Sequence, residues 1–289
     1  MERQTAREKQ RYTARELQRY TAHLIREERA AATVEKYARD VGAFLEYVTA
    51  KEHGRITKQA ALGFREEARK NHTAASVNTM LSAVNGYLKF KGKADCQVKL
   101  LKIQRQSFSD RERELSETEY HRLVAAAKRK GSERLSLVIR TICATGIRVS
   151  ELKFITAEAV GRGRAEVSLK GKQRLVFITR ELQGLLKTYM KKQHIESGPV
   201  FVTKSGRPLD RSNIWSDMKK LCASAKVSPR KVFPHALRHL FARAFYKLEK
   251  DIVRLADILG HSSIETTRIY TITSGAEHER IMNRMRLVC

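Results

Sequence analysis

The sequence has no Cys-x-x-Cys pair. Its four cysteines, Cys96, Cys143, Cys222 and Cys289, are scattered, with no histidine at ligand spacing beside them. That pattern suggests neither a zinc site nor a disulfide framework. No run reaches the roughly 18 apolar residues that a membrane span needs, and no apolar h-region stands behind the charged start Met-Glu-Arg-Gln-Thr-Ala-Arg-Glu-Lys. There is no Gly-x-x-x-x-Gly-Lys-Ser/Thr loop to cradle a nucleotide triphosphate. These absences lead us to expect a protein of a reducing, cytoplasmic compartment with no membrane partner. Acidic residues are also short, with 31 Asp+Glu against 58 Lys+Arg, a formal charge of +27 and a pI near 10.2. A polyanion is the expected partner, nucleic acid ahead of a membrane surface or an acidic protein, although a basic ribosome-associated factor shares this balance.

At 289 residues and 42% hydrophobic, the chain can bury one large or two modest cores. Leu17, Tyr20, Leu24 and Ile25 share a helix face from Thr13 onward, and Val34, Tyr37, Val41, Phe44, Leu45 and Val48 mark a second amphipathic helix. Thr57 is placed to cap a third, carrying Ala60, Ala61, Phe64 and Ala68, and Thr73 a fourth, carrying Val77, Met80, Leu81, Val84 and Leu88. Residues 1–92 therefore read as an all-α domain. Periodicity fails over residues 93–114, a polar and basic run expected to be an interdomain linker, either solvated or lying along phosphates.

Residues 115–289 read as a second domain. Ser116 and Glu119 form a capping box ahead of Leu123, Val124 and Ala127. An apolar helix over residues 134–145 ends at Gly146, a C-cap glycine. The period then changes to two: Ala165, Val167 and Leu169 alternate with polar residues, and Arg174-Leu175-Val176-Phe177-Ile178 follows Gly171-Lys172-Gln173, as in a β-hairpin with a lysine at its turn. Helices resume with Leu182, Leu185, Leu186, Tyr189 and Met190, and again with Ile214, Trp215, Met218 and Leu221. The expected class is mainly α with a small antiparallel β-sheet (α+β).

The chemistry-bearing residues lie in Ala144-Thr145-Gly146-Ile147-Arg148-Val149-Ser150-Glu151-Leu152, the hairpin, Phe233-Pro234-His235-Ala236-Leu237-Arg238-His239, Leu259-Gly260-His261-Ser262-Ser263, and Thr267-Arg268-Ile269-Tyr270. Singly each has a bland reading: His-x-x-Arg on a surface, a histidine capping a helix at a glycine, a half-buried tyrosine. Ser262 and Glu265 read as a capping box for a short helix presenting Tyr270. In this order and spacing they resemble the tyrosine recombinase (phage integrase) family in its simple, Xer-like two-domain layout. The resemblance covers the whole second domain, and the four-helix unit ahead of it looks like the family's SAM-like core-binding domain.

The resemblance implies that Arg148 and Arg238 are catalytic arginines, Lys170 the hairpin lysine, His235 and His261 the two histidines, and Tyr270 the nucleophile. A phenol would hold a DNA strand as a 3′-phosphotyrosyl ester, and two planar guanidiniums match the charge that gathers on a phosphoryl transition state. His235 would assist deprotonation, His261 would donate to the phosphate, and Lys170 would protonate the leaving oxygen. No metal or other cofactor is implied. Family hairpins often read Lys-Gly-x-Lys-x-Arg, and this one is a residue shorter, which leaves Lys172 as a rival to Lys170. Glu151 either orients Arg148 or makes a plain surface ion pair, and His239 is expected either to be structural or to support the site residues from behind. Ile281, Met282, Met285 and Val288 form a terminal apolar stripe that docks either on a neighbouring protomer or on its own domain. The implied partner is double-stranded DNA, held by a homotetramer on paired sites, with accessory proteins an open addition. A type IB topoisomerase shares the cleavage chemistry, and a non-cutting DNA-binding accessory protein is the rival from another class.

Overall fold

The computed structural model describes the backbone of residues 2–103, 114–169, 172–203, 205–270, 280 and 282–285, and their side chains from Thr13 onward apart from Leu169 and Lys172. The chain divides into two compact units, residues 1–105 and 106–289.

The first unit is built from four helices, α1 (Glu2–Arg26), α2 (Ala31–Lys51), α3 (Lys58–Asn71) and α4 (Ala74–Phe90). The caps expected from sequence are present: Thr57 Oγ1 accepts from the Ala60 amide at 3.1 Å, and Thr73 Oγ1 from the Ser76 amide at 3.3 Å. Tyr20, Leu24, Val41, Phe44, Leu81 and Leu88 are buried in one core. Ile25, expected on that face, is 61% exposed, because it lies about 100° round the helix from Leu24. The stretch read as a linker begins as part of this unit. Asn85 donates to the Val98 carbonyl and accepts from its amide, Asn78 does the same for Leu101, and Cys96 and Val98 are buried. Paired asparagines on α4 thus give an aperiodic strand the backbone partners that a helix would supply internally.

In the second unit α5 (Glu117–Arg129) opens on the Ser116–Glu119 capping box. Next come α6 (Glu133–Thr145), a 3-10 segment at Val149–Phe154 and α7 (Ala157–Arg162). Strands β1 (Arg164–Leu169) and β2 (Lys172–Phe177) pair antiparallel, with Val167 opposite Arg174 and Leu169 opposite Lys172. Then follow α8 (Arg180–Lys192), α9 (Arg211–Lys219), α10 (Cys222–Ala225), α11 (Pro234–Glu249), α12 (Ile252–Leu259) and α13 (Ile264–Arg268). The main core joins α5, α6, α8 and the hairpin to Leu237 and Leu240 of α11. A satellite cluster of Ala242, Leu255, Leu259 and Tyr270, covered by Phe241 and Phe245, closes the far side.

Gly146 ends α6 at φ +63°, and a Cβ there would stand 2.5 Å from the Phe241 ring. Both the left-handed backbone and the close approach require glycine. Gly146→Ala is expected to destabilise the second unit by roughly 2–4 kcal/mol, measurable as a lowered urea midpoint.

Candidate active site

The site is organised by α6 ending at Gly146 and α12 ending at Gly260, which turn two rows of helix-end carbonyls toward buried arginines. Arg238 enters from α11 and is 1% exposed. Its Nη1 donates to the Gly146 carbonyl at 2.5 Å and its Nη2 to the Leu259 carbonyl at 2.7 Å, whereas its buried Nε has no partner. Burial, followed by the neighbouring Arg148 charge, lowers its pKa to about 10.

Arg148 sits where α6 has ended and the 3-10 segment begins. Its amide donates to Glu151 Oε2 and its Nη1 to Oε1, both at 2.9 Å. Glu151 is 1% exposed, so the surface-pair reading is excluded. Arg174 of β2 completes a bridge, donating to Glu151 Oε2 at 2.6 Å and to the Ile258 carbonyl at 2.8 Å. Burial alone would raise the Glu151 pKa; the Arg148 amide and the Arg174 and Arg148 guanidiniums outweigh it and hold the carboxyl below its ordinary value.

His261 follows Gly260. Its Nε2 lies 3.0 Å from Arg238 Nη2 and its Nδ1 2.8 Å from Thr267 Oγ1. Burial and then the Arg238 and Arg148 charges lower its pKa to about 4, so the ring is neutral at pH 7. A guanidinium only donates, so Nε2 must accept and the ring proton resides on Nδ1, donated to Thr267. Tyr270 falls in the turn after α13, its amide donating to the Thr267 carbonyl at 3.0 Å. Its ring is 5% exposed, stacked 6.1 Å from His261 and edge-on 4.8 Å from His239. Burial raises the phenol pKa, partly opposed by Arg238. His239 in turn meets His235 edge-on at 4.7 Å, so it stands between His235 and the tyrosine.

Burial, His235 and Arg243 lower the His239 pKa to about 4, matching His261. Unfolded histidine titrates near 6.5, so between these values the unfolded chain binds more protons than the folded one. This contribution is complete above pH 6.5 and is lost as pH falls toward 4. Urea midpoints are expected to drop from pH 7 to pH 5, and the His239→Gln, His261→Gln double variant to flatten that drop.

Of the residues expected from sequence, Arg148, His235 and Arg238 line one cleft of about 690 Å³. Arg148 also lines an adjoining one of about 770 Å³ together with His261. His235 and Arg238 reach the same cleft, and they differ in burial, with His235 exposed and Arg238 1% exposed. Lys170 lies outside the described residues, as does the side chain of its rival Lys172. Ser263, not Ser262, caps α13, accepting from the Glu265 amide at 3.3 Å, because the extended backbone at Ser263 leads directly into the helix. Arg174 and Thr267 were not singled out. Arg174 shares strand parity with buried Val176, whereas Leu175 and Phe177 face outward, so a charge on the inward parity was the available signal. Thr267 gives no comparable signal.

Comparison with known proteins agrees with this architecture. The Phage integrase family model matches residues 113–276, and that of the Phage integrase N-terminal SAM-like domain matches residues 17–94. Tyrosine recombinase XerA of Thermococcus kodakarensis is 27% identical over 270 residues, 91% of this chain and 92% of that relative. The crystal structure of XerA recombinase, at 26% identity, covers 95% of this chain and 98% of its own with a TM-score of 0.52. A lambda integrase dimer bound to a COC′ core site, at 17% identity and a TM-score of 0.71, covers 89% of this chain and 94% of its own and shares the fold. No helix among the described residues is long and apolar enough to cross a membrane. With more than half the chain matched by the catalytic model and relatives aligned along nine-tenths of it, the chain belongs to the phage integrase family and is a tyrosine-type site-specific recombinase.

Proposed function

We propose that this recombinase cleaves duplex DNA in the cytoplasm through Tyr270, forming a 3′-phosphotyrosyl ester and a free 5′-hydroxyl. Two sequential pairs of strand exchanges would pass through a Holliday junction. The observation that carries this reading is the gathering of Arg148, Arg238, His261 and Tyr270, which lie up to 122 positions apart in the chain, with Glu151 the carboxylate that holds the Arg148 guanidinium. Residues 1–92 would clamp the DNA as a core-binding domain and residues 115–289 would do the chemistry, two protomers on each of two paired sites. The biological task would be integration, excision or resolution of a mobile element or replicon, with or without accessory proteins.

The phenol proton would pass to His235 once Tyr270 leaves its place behind His239. The phosphate would take the unpartnered Nε of Arg238 and the outer face of Arg148. As the phosphate draws Arg238 from His261, Nε2 is freed. The Thr267 hydroxyl can donate as well as accept, so it can hold the other tautomer, with Nε2–H directed at the phosphate. Lys170 would protonate the leaving 5′-oxygen. Bond energy is kept in the ester, so rejoining needs no nucleotide cofactor.

The test is a nicked suicide substrate, from which the cut strand cannot be rejoined, run alongside a two-site recombination assay. A covalent protein–DNA adduct together with recombinant product is expected. An adduct with relaxation of supercoils and no product would turn the reading to a topoisomerase, and the absence of any adduct on cognate DNA would leave a DNA-binding accessory protein.

A further inference from the structure

Helix α9 sends Ile214 and Met218 into the core of the second unit, with Leu221 just beyond its end. Trp215 was expected in that stripe, but it lies about 100° round from Ile214 and is 48% exposed. It is the only tryptophan in the chain. The ring is nonetheless held: the Lys219 ammonium stands 5.3 Å from its centroid and donates to the Pro229 carbonyl. It forms a wall of the cleft that Arg148, His235 and Arg238 line. Arg211, one turn earlier on α9, lines the same cleft, and its charge is one of those that lower the His235 pKa. Among the described residues no acidic side chain forms an ion pair with Arg211, which is exposed.

We propose that Trp215 and Arg211 form a strand-holding subsite of this cleft, the indole packing against a deoxyribose and the guanidinium taking the phosphate next along the strand from the one held by Arg148 and Arg238. It rests on the reading of the cleft as a phosphodiester site. In a duplex the bases are stacked inside and the sugars are the apolar surface that a wall residue can reach without reading sequence. A guanidinium fork suits a phosphate whatever base it carries. An aromatic and an arginine one helical turn apart therefore match the alternation of sugar and phosphate along one strand. The subsite would fix the strand's direction and register as it passes the reacting phosphate, which a lone pair of phosphate-binding arginines does not do.

Because Trp215 is the sole tryptophan, its emission reports this subsite alone. The full chain is titrated with a duplex of arbitrary sequence, following anisotropy of end-labelled DNA in one series and tryptophan emission with acrylamide quenching, on unlabelled DNA, in another. Emission is expected to change and acrylamide access to fall, with the same midpoint as the anisotropy. Trp215→Ala should weaken binding about ten-fold and Trp215→Phe by much less. Arg211→Ala should reduce the slope of log K against log salt by about one. Normal anisotropy with unchanged emission and quenching, or an unchanged salt slope in Arg211→Ala, would overturn the subsite while leaving the DNA reading intact. No binding by anisotropy would overturn both. Melting curves of Trp215→Phe and Arg211→Ala identify any loss that comes from unfolding.

Discussion

Tyr270→Phe is expected to reduce covalent adduct on a suicide substrate by about 10⁴-fold or more, to below detection, with the strand left unbroken. The substitution keeps the ring that stacks on His261 and meets His239 edge-on, so the satellite core of Ala242, Leu255 and Leu259 is retained. What is lost is one hydroxyl and its interaction with Arg238, worth about 1 kcal/mol of stability. DNA affinity is expected to hold within about two-fold, because phosphate contacts and not the phenol supply it. A gel-shift titration beside a denaturing gel separates the two effects. Adduct persisting in the phenylalanine variant would assign the nucleophile elsewhere. The buried phenol with its raised pKa adds a kinetic expectation: in the proposed reaction Tyr270 would first leave its place between two imidazoles, so substitutions that loosen α13 should alter cleavage more than binding.

The parts of the fold and site legible in the sequence were those fixed by local rules. Thr57, Thr73 and Ser116 announced helix starts through side-chain oxygens, Gly146 and Gly260 announced ends, and the alternation from Ala165 to Phe177 announced the hairpin. What stayed hidden depends on partners distant in sequence. Taken singly, His-x-x-Arg reads as two polar surface groups three apart, so the burial of Arg238 is not legible locally, although the resemblance implies its role. Its carbonyl partners, Gly146 and Leu259, lie 92 and 21 residues away in the chain. Trp215 looked like core because apolar residues at consecutive positions blur a helical stripe, and only the packed structure shows which neighbour turns inward. Glu151 had two readings for the same reason: spacing from Arg148 shows a possible pair but not the arrival of Arg174 from the hairpin.

Glu151→Ala is expected to be the most destabilising change in the site, lowering unfolding free energy by about 3–5 kcal/mol at pH 7. The carboxylate is 1% exposed and is shared by the Arg148 amide, the Arg148 guanidinium and the Arg174 guanidinium. Removing it strands the Arg174 charge, whose side chain is 11% exposed and whose pKa is already lowered by burial, with the Ile258 carbonyl as its remaining hydrogen-bond partner among the described residues. Glu151→Gln preserves shape and one acceptor oxygen, so its loss should be smaller, about 1–3 kcal/mol. Because the Glu151 pKa is lowered on folding, its stabilisation is complete above the unfolded carboxyl pKa near 4.3 and is lost as pH falls through the lower folded value. Urea unfolding at pH 7 and at pH 3 should therefore show the wild-type and Gln curves converging in acid. Activity discriminates further. If Glu151 serves only to hold the fold, Glu151→Gln should cleave normally wherever it is folded. If it aims Arg148 at the phosphate, cleavage should fall at least about ten-fold with DNA affinity unchanged, since the Arg148 Nη1–Oε1 contact fixes the fork while the Gly260 carbonyl at 3.4 Å holds it only weakly. An alanine variant as stable as wild type would mean that the two arginines are satisfied by solvent, and the buried bridge would then have no structural role.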